Sequence, residues 1–363
     1  MIVVVKIGTS SITDVHGEIA TSAIEKLCSE VAHLRGLSHK VVVVTSGAIA
    51  AGLPALGLGG PRPTDLATLQ AVSAVGQSRL MRTYDDLLAF HHLVGGQVLL
   101  APLDFVHRSQ YLHARQTLTR LLDLGVVPIV NENDAVADDE IRFGDNDRLA
   151  ALVAHLVHAD LLVLLTDTPG LFTADPRLDE GASLIEEIIE VDHQLESSAG
   201  GTGSVRGSGG MASKLAAAKI AAWSGVAAVI AAADRPHVLL AAVNGETGIG
   251  TFVRPRDKRL SARKLWIAFA VGSSGRIVVD DGARRALVER GTSLLPAGVV
   301  EVVGSFDLDD AVEVATADGV VFAKGLVRHP SARIAEWQGR RSGDLPADAS
   351  PEVIHRDDLV VLP

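Results

Sequence analysis

Carboxylates and side-chain amides are concentrated in one stretch, VNENDAVADDEIRFGDND, between a strand-like run and a helix-like run. Asn131 and Asp134 follow the strand, while Asp145, Asn146 and Asp147 come directly before the helix. Capping a helix needs one side chain, which we expect Asp145 or Asn146 to supply. The additional amides and carboxylates suit a zwitterionic ligand, with amides for its carboxylate and Asp134 for its ammonium group. Solvated loop residues are the simpler alternative, and this stretch alone leaves it open.

A lysine interrupts the first strand-like run, IVVVKIGTSS, where Lys6 precedes Gly8 by two residues. Burying a lysine is costly unless it has a partner or a ligand, whereas a lysine on an edge strand would point into water. Both interpretations are open at this point. Gly8 and the hydroxyl groups after it offer donors for a phosphate, although the pattern G-x-x-x-x-G-K-[ST] is absent.

Other polar clusters also follow strand-like runs. Ser46 lies in VVVVTSGA, where we favour ligand contact over a nucleophile because G-x-S-x-G is absent. Thr166 and Asp167 end the run LLVLLTD, and the glycines of GSGGMASK lead to Lys214 in the first turn of a helix. Backbone N–H groups, a helix N-terminus and a lysine together predict a site for a polyphosphate.

The elements that must position these clusters alternate between short apolar runs and helical stretches. Such alternation predicts an α/β fold with a mostly parallel sheet that helices cover on both faces. Ligands of these sheets bind beyond the carboxyl ends of the strands, where the polar clusters fall. The expected strands lie near residues 2–8, 40–48, 96–101, 126–134, 159–167 and 225–233, and the expected helices cover 21–34, 65–90, 108–124, 148–156 and 213–224.

The pattern changes after about residue 252. RPRDKRLSARKLW is charged and is expected to be a solvated linker or helix face. From Gly275 onward, short alternating strands with turns predict a small, mainly β domain with one helix near residues 283–290. We therefore expect a first domain over 1–262, a linker over 263–274 and a second domain over 275–363.

Composition limits the class of protein. The 363 residues are 47% apolar but only 4% aromatic, as is typical of parallel α/β proteins, and this length predicts two domains. A net charge of −11 argues against an overall electrostatic grip on nucleic acid. The single cysteine, Cys28, is expected to fill the core and excludes an internal disulfide, which suits a reducing cytoplasm. Lys219, Trp223 and Gly225 divide the alanine-rich stretch 215–233, so we expect a soluble cytoplasmic protein rather than a membrane span.

The motifs in their order resemble the glutamate 5-kinases of the amino acid kinase family. VVVKIGTSS, VVVVTSGAIAAG, VPIVNENDAV, FGDNDRLAA, LLTDTPGLFTADPR and SGGMASKLAAA carry the resemblance, which spans nearly the whole chain. It implies the amino acid kinase fold, a three-layer sandwich with a mostly parallel sheet, followed by a small, mainly β barrel domain like the PUA domain. The implied reaction is ATP-dependent phosphorylation of the side-chain carboxylate of L-glutamate to L-glutamyl 5-phosphate, the first step of proline biosynthesis.

The resemblance also implies roles for single residues. Lys6 and Lys214 would neutralise charge on the moving phosphoryl group from opposite sides, while Asp147 would hold both ammonium groups in place. The acceptor carboxylate is already ionised at neutral pH, so no general base is required.

Two further sets of residues are implied as contacts to the substrates. Glutamate would be contacted by Ser46, Asn131, Asp134 and Asn146. ATP would be bound by Lys6, Gly8, Thr166, Asp167, Ser208, Gly209, Gly210, Met211, Ala212, Ser213 and Lys214.

The implied partners are ATP with Mg²⁺, for which we identify no protein ligand, and proline as a feedback inhibitor. A homo-oligomer, dimer or tetramer, is expected, and no membrane partner. One alternative is an amino acid kinase that acts on acetylglutamate, aspartate, carbamate or UMP. Another is RNA binding by the PUA-like domain, although residues 275–363 show neither a dense basic stripe nor an aromatic platform for bases.

Overall fold

The first strand-like run forms the middle of a sheet. The computed structural model describes all residues except 15, 59, 61, 106, 137–145, 175, 177–178, 180, 192–194, 196–209, 258, 270, 347–349 and 363. In it β1 (Ile2–Ile7) lies between two parallel neighbours, β2 (Lys40–Val44) and β5 (Leu161–Thr166). A strand with partners on both sides has both faces covered, which explains its continuous apolar run. The alternative that Lys6 stands on an edge strand is therefore wrong.

The chain divides into two units between Arg259 and Leu260. In the described residues the first unit contains an eight-stranded sheet with the order β3-β4-β2-β1-β5-β7-β8-β6. Its strand pairs are parallel except β7 with β8, which confirms the predicted α/β class. The remaining strands of this sheet are β3 (Gly95–Leu100), β4 (Val127–Glu132), β6 (Glu187–Ile188), β7 (Ala227–Ala232) and β8 (Gly250–Val253).

Helices cover both faces of this sheet. Parallel crossovers are right-handed, so the connections that run one way along the sheet place α2 and α4 on one face, and those that run the other way place α5, α6 and α7 on the opposite face. Core residues of α8 belong to the same cluster as those of α2 and α4, so α8 lies on their face. Contacts of α2 with α4 and α8, and of α6 with α7, agree with this arrangement. The helices are α1 (Thr9–Ile12), α2 (Thr21–Gly36), α3 (Ala48–Gly52), α4 (Leu66–Phe90), α5 (Arg108–Asp123), α6 (Asn146–Leu156), α7 (Met211–Trp223) and α8 (Val238–Asn244).

Alternation along β1 decides which helices its lysine meets. Val3, Val5 and Ile7 belong to the core cluster that also contains side chains of α2 and α4. Because successive side chains of a strand point to opposite faces, Lys6 lies on the face of α6 and α7. This single parity places the lysine beside the acidic stretch found in the sequence.

Two glycines fix the segment after β2. Gly47 has φ 98°, a left-handed conformation that favours glycine, and it precedes α3 directly. Gly76 lets α4 pack against α3, since a Cβ there would lie 1.7 Å from the carbonyl oxygen of Ala48. The backbone around Ser46 is thereby held against α4.

The second unit, residues 260–363, contains a five-stranded sheet with the order β10-β9-β11-β12-β13. A helix that contacts β13 and β12 occupies most of the segment that we expected to be a linker. The prediction of one helix in this part of the chain was wrong, because the short run at residues 331–337 is also helical and buries Ile334 and Trp337. The elements are α9 (Ala262–Phe269), β9 (Gly275–Val279), α10 (Asp281–Arg290), β10 (Val299–Gly304), β11 (Ala311–Thr316), β12 (Val321–Val327), α11 (Ser331–Trp337) and β13 (Ile354–Val361).

The single cysteine lies within the apolar core of the first unit. Cys28 is buried in the core, and burial raises the pKa of its thiol to about 12, which confirms it as core filler. Among the described residues, no helix combines the length and apolarity that crossing a bilayer requires.

Candidate active site

One carboxylate holds two lysines at the carboxyl edge of the sheet. The Lys6 Nζ lies 2.5 Å from Oδ1 of Asp147, and the Lys214 Nζ lies 3.3 Å from Oδ2 of the same side chain. The three residues come from β1, the first turn of α6 and the first turn of α7. Tertiary structure thus brings together residues that are far apart in the sequence.

All three side chains are buried, and Asp147 is 0% exposed. Burial by itself would raise the pKa of Asp147, but the charge of Lys6, then that of Lys214, and hydrogen bonds from Lys6 and Ser213 hold this pKa below its usual value. The carboxylate is therefore ionised at neutral pH. Burying ions is tolerated only with close partners, so this group is held together by its own charges.

The start of α7 supplies backbone donors beside the lysines. The Ser213 hydroxyl lies 2.7 Å from Oδ2 of Asp147 and 2.9 Å from the carbonyl oxygen of Gly210. Gly210 precedes the helix in an extended conformation and has no side chain to cap it. The first N–H groups of α7, at Met211 and Ala212, are thus suited to an anion. Ser208 and Gly209 lie outside the described residues.

Gly8 leaves space next to the first lysine. A Cβ at this position would lie 3.2 Å from the Lys6 Nζ. The residues directly after Gly8 form the first turn of the short helix α1, which follows β1. Ile7 pairs with Leu165, so the next residues, Gly8 and Thr166, are level at the same edge of the sheet.

Thr166 and Asp167 follow β5 at this edge. The Thr166 hydroxyl lies 3.1 Å from Oδ1 of Asp167, and its carbonyl oxygen accepts a hydrogen bond from the N–H of Ala233. The strand of Thr166 is the direct neighbour of β1, which brings this pair to the edge where Lys6 lies.

A second polar group forms where α6, β4 and the turn after β2 meet. Asn146 donates from Nδ2 to the Ser46 hydroxyl at 2.8 Å and to Oδ1 of Asn131 at 3.1 Å. The N–H of Glu132 donates to Oδ1 of Asn131 at 2.9 Å and to Oδ1 of Asn146 at 3.3 Å. Asn146 is already the first residue of α6, so its side chain binds these neighbours and does not act as the predicted cap. Asp145 lies outside the described residues.

A side chain of α4 orients Asp134, a contact that the sequence did not predict. The Ser73 hydroxyl donates to Oδ2 of Asp134 at 3.0 Å. Burial chiefly raises the pKa of Asp134, against the opposing effects of this hydrogen bond and of the Arg62 charge. A favourable cation beside Asp134 would reverse that cost.

Gln77 joins the same group one helical turn further along α4. Its Oε1 accepts from Nδ2 of Asn131 at 2.9 Å, and among the described residues its own Nε2 has no acceptor. Ser73, Gly76 and Gln77 share one face of α4, and their spacing of three and four residues within an apolar helix was the available signal.

The structure contains no group of three metal-ligating side chains (His, Cys, Asp or Glu) among the residues that it describes. The first N–H groups of α7, the space beside Gly8 and the two lysines form instead a set of donors and positive charges, which fits the phosphates of a nucleotide. A divalent ion could accompany such a ligand, held mainly by its phosphates and by water.

Comparison with known proteins gives two family matches. Residues 1–232 match the amino acid kinase family, and residues 275–346 match the PUA domain. The glutamate 5-kinase of Geobacter sp. (strain M21) is 45% identical over 99% of this chain and 97% of that protein. The glutamate 5-kinase of Moorella thermoacetica is 44% identical over 99% of this chain and 96% of that protein.

Solved structures agree at the level of the fold. The carbamate kinase from Giardia lamblia has a TM-score of 0.51 at 16% identity, covering 70% of this chain and 98% of that one. The UMP kinase from Bacillus anthracis has a TM-score of 0.50 at 18% identity, covering 71% of this chain and 97% of that one. At such identities the likeness concerns the arrangement of strands and helices alone.

Proposed function

This chain belongs to the amino acid kinase family, as one of the glutamate 5-kinases, and on that premise we propose that it phosphorylates the side-chain carboxylate of L-glutamate with ATP. The product is L-glutamyl 5-phosphate, and the reaction is the first step of proline biosynthesis. Identity of about 45% with glutamate 5-kinases over nearly the full length supports this assignment, since both domains are included in the match.

The observation that carries the proposal is the group formed by Lys6, Asp147 and Lys214. Phosphoryl transfer requires alignment of donor and acceptor and neutralisation of charge on the moving group. Two ammonium groups fixed on the two oxygens of one buried carboxylate provide that charge at fixed positions. One lysine would act on the transferred phosphoryl group and the other on the phosphates that leave.

No residue has to remove a proton in this reaction. The acceptor oxygen of glutamate belongs to a carboxylate with an ordinary pKa of about 4.3. It attacks the γ-phosphorus, the bond from phosphorus to the bridging oxygen breaks, and ADP leaves with that oxygen. The work of the site is therefore positioning and charge neutralisation, which agrees with the absence of a histidine among the proposed site residues.

The polar side chains where α6, β4 and the turn after β2 meet form the proposed site for the amino acid end of glutamate. Asn131 offers its α-carboxylate the amide hydrogen that Gln77 does not take, and Ser46 offers a hydroxyl. Asn146 would contact the α-carboxylate by giving up one of its two present acceptors, the Ser46 hydroxyl or Oδ1 of Asn131. Asp134, whose pKa is raised mainly by burial, would accept the α-ammonium group, which restores a favourable charge pair. Aspartate would be too short to reach the phosphoryl group from this site, and an acetylated amino group would lose the pair.

ATP is proposed to lie along the start of α7. The N–H groups near Gly210 and the lysine Lys214 would hold its phosphates, with Gly8 leaving room beside Lys6. Thr166 and Asp167 would contact the nucleotide at the neighbouring strand end. Mg²⁺, arriving with ATP, would screen the phosphate charges.

A coupled assay of ADP release tests the proposal. We expect turnover with L-glutamate and ATP, and little or none with N-acetylglutamate, aspartate, carbamate or UMP as acceptor. Comparable turnover with acetylglutamate would contradict the proposed role of Asp134, and turnover only with UMP would contradict the function itself.

We also propose feedback inhibition by proline and a homo-oligomer, a dimer or a tetramer. Repeating the assay with proline tests feedback inhibition, and sedimentation tests the proposed dimer or tetramer. A salt-dependent shift with tRNA in a gel would support RNA binding by the PUA domain as a secondary activity. A cytoplasmic location stays a prediction from the composition.

A further inference from the structure

Arginine and histidine side chains gather at the other end of α6 from the candidate active site. Nη2 of Arg115, in α5, lies 2.7 Å from Nε2 of His158, and the rings of His158 and His155 have centroids 6.4 Å apart. With Tyr111 and Arg259 we call these five residues the basic cluster. His155 is in the last turn of α6, about 12 Å along the helix from Asp147 in its first turn.

Arg259 approaches this cluster from the chain that follows β8. Its Cβ is 3.7 Å from the position that a Cβ on Gly225 would occupy, directly after α7. Burial is the main cause that lowers the pKa of both His155 and His158, and the charge of Arg259 is the second. The pKa of His155 falls to about 4. The pKa of Arg259 is itself lowered, mainly by burial and also by the charge of Arg115, while Tyr111 opposes this shift.

In the part of the chain that the structure describes, no carboxylate lies within ion-pair distance of Arg115 or Arg259. Guanidinium groups bind phosphate and carboxylate oxygens through paired N–H donors, so arginines without a carboxylate partner are suited to an oxyanion. The positive charges of the two arginines can therefore be balanced by an anionic ligand.

A buried ring nitrogen gives an independent indication. His155 is only 5% exposed, and within the described residues its Nδ1 has no hydrogen-bond partner. Leaving a buried polar atom unpaired costs about 1–3 kcal/mol, so a ligand or a water that reaches it is favoured. Tyr111 is half-buried, and burial raises the pKa of its hydroxyl while the charges of Arg115 and Arg259 oppose that rise.

We propose that the basic cluster binds a phosphate-class oxyanion, either free phosphate or a phosphomonoester, between Arg115 and Arg259. The guanidinium groups supply paired N–H donors that match a tetrahedral oxyanion, and Tyr111 and His155 supply further polar contacts. This site is separate from the candidate active site, since it lies at the opposite end of α6. It does not depend on the proposed reaction.

Thermal unfolding of the full chain tests the proposal, with inorganic phosphate and glycerol phosphate as probes and sodium chloride at matched ionic strength as reference. Phosphate is expected to raise the unfolding midpoint of the unmodified protein, because a ligand of the folded state stabilises it. Arg115→Gln with Arg259→Gln should weaken phosphate binding, measured by calorimetry, by at least about tenfold. Arg82→Gln, which removes an exposed arginine of α4 away from the cluster, is the control.

A second variant separates this site from the candidate active site. Lys214→Met should keep the phosphate-dependent shift, and the double arginine variant should keep its turnover with saturating substrates. The proposal is overturned if Lys214→Met abolishes the shift, or if Arg82→Gln weakens binding as much as the double variant does. It is also overturned if sedimentation shows that the double variant only dissociates an oligomer, since a carboxylate of a second copy would then fill the cluster.

Discussion

Lys6 and Lys214 form ion pairs with different oxygens of Asp147, with Nζ–Oδ1 and Nζ–Oδ2 distances of 2.5 and 3.3 Å, and all three side chains are buried. A carboxylate shared in this way sets the distance and the direction between two ammonium groups before any substrate binds. Fixed charges in a buried site do not need to reorganise during the reaction, which is why they are effective.

The first prediction concerns the lysine of α7. Lys214→Met should lower kcat by about 100- to 1000-fold, because one of the two fixed positive charges that act on the transferred phosphoryl group and the leaving phosphates is lost. Steady-state kinetics by ADP release measure this, with circular dichroism to check the fold. Lys40→Met, which removes an exposed lysine paired with Asp123, is the control and should retain normal turnover. A Lys214→Met variant with nearly normal kcat would rule out the proposed charge mechanism.

The second prediction separates glutamate binding from ATP binding. Asp134→Asn should raise the KM for glutamate by about tenfold or more and change the KM for ATP little, since a charged hydrogen bond is worth about 1.5–3 kcal/mol. Ser73→Ala should act in the same direction but more weakly, because Ser73 only orients Asp134.

The matched control for Ser73 is Ser78→Ala on the same helix. Among the described residues, the Ser78 hydroxyl bonds to the carbonyl oxygen of Val75 alone, so both KM values should stay unchanged. Equal increases in the KM for glutamate and for ATP in Asp134→Asn would mean that this carboxylate does not read the ammonium group.

The third prediction tests the packing that holds the turn at Ser46. Gly76→Ala should destabilise the protein by about 1–3 kcal/mol, because its Cβ would meet the Ala48 carbonyl oxygen at 1.7 Å. An alanine in a helix is otherwise favoured over glycine by about 1 kcal/mol. Urea unfolding measures the difference. Gly36→Ala, where a Cβ meets nothing within 4 Å, should be neutral or stabilising, and similar losses in both variants would refute the packing argument.

The fourth prediction is a pH dependence that originates at His155. Burial, followed by the charges of Arg259, His158 and Arg115, lowers its pKa from 6.5 to about 4. The unfolded chain then binds a proton at higher pH than the folded chain does. Stability is therefore fully present above about pH 6.5 and falls toward pH 4, by up to about 1.4 kcal/mol per pH unit.

Urea unfolding between pH 7 and 5, in buffers without phosphate, measures this slope. His155→Phe should make the slope shallower, while the exposed His16→Phe should leave it unchanged. An identical slope in the His155 variant would show that other groups cause the pH dependence.

Much of the fold could be predicted from the sequence, because strands and helices have distinct apolar periods. The runs around Val3, Val42 and Leu164 are continuous because both faces of these strands are covered. Helix ends differ from the prediction by a few residues. The helix predicted to start at residue 148 begins at Asn146, which was one of two expected caps and instead lies within the helix. The helix at residues 331–337 was missed because seven residues give too short a period to recognise.

The kinds of residue in the candidate site also followed from the sequence alone, since a lysine in an apolar strand and a glycine-rich helix start are local signals. Only the tertiary structure decided that Lys6 turns toward α6 and α7, that Asp147 lies between two lysines, and that Ser73 reaches Asp134. Local patterns determine which residues can do chemistry, whereas distances between them depend on strand order and on the parity of each strand. Those are properties of the packed chain, because each side chain finds its partner only after distant elements have been brought together.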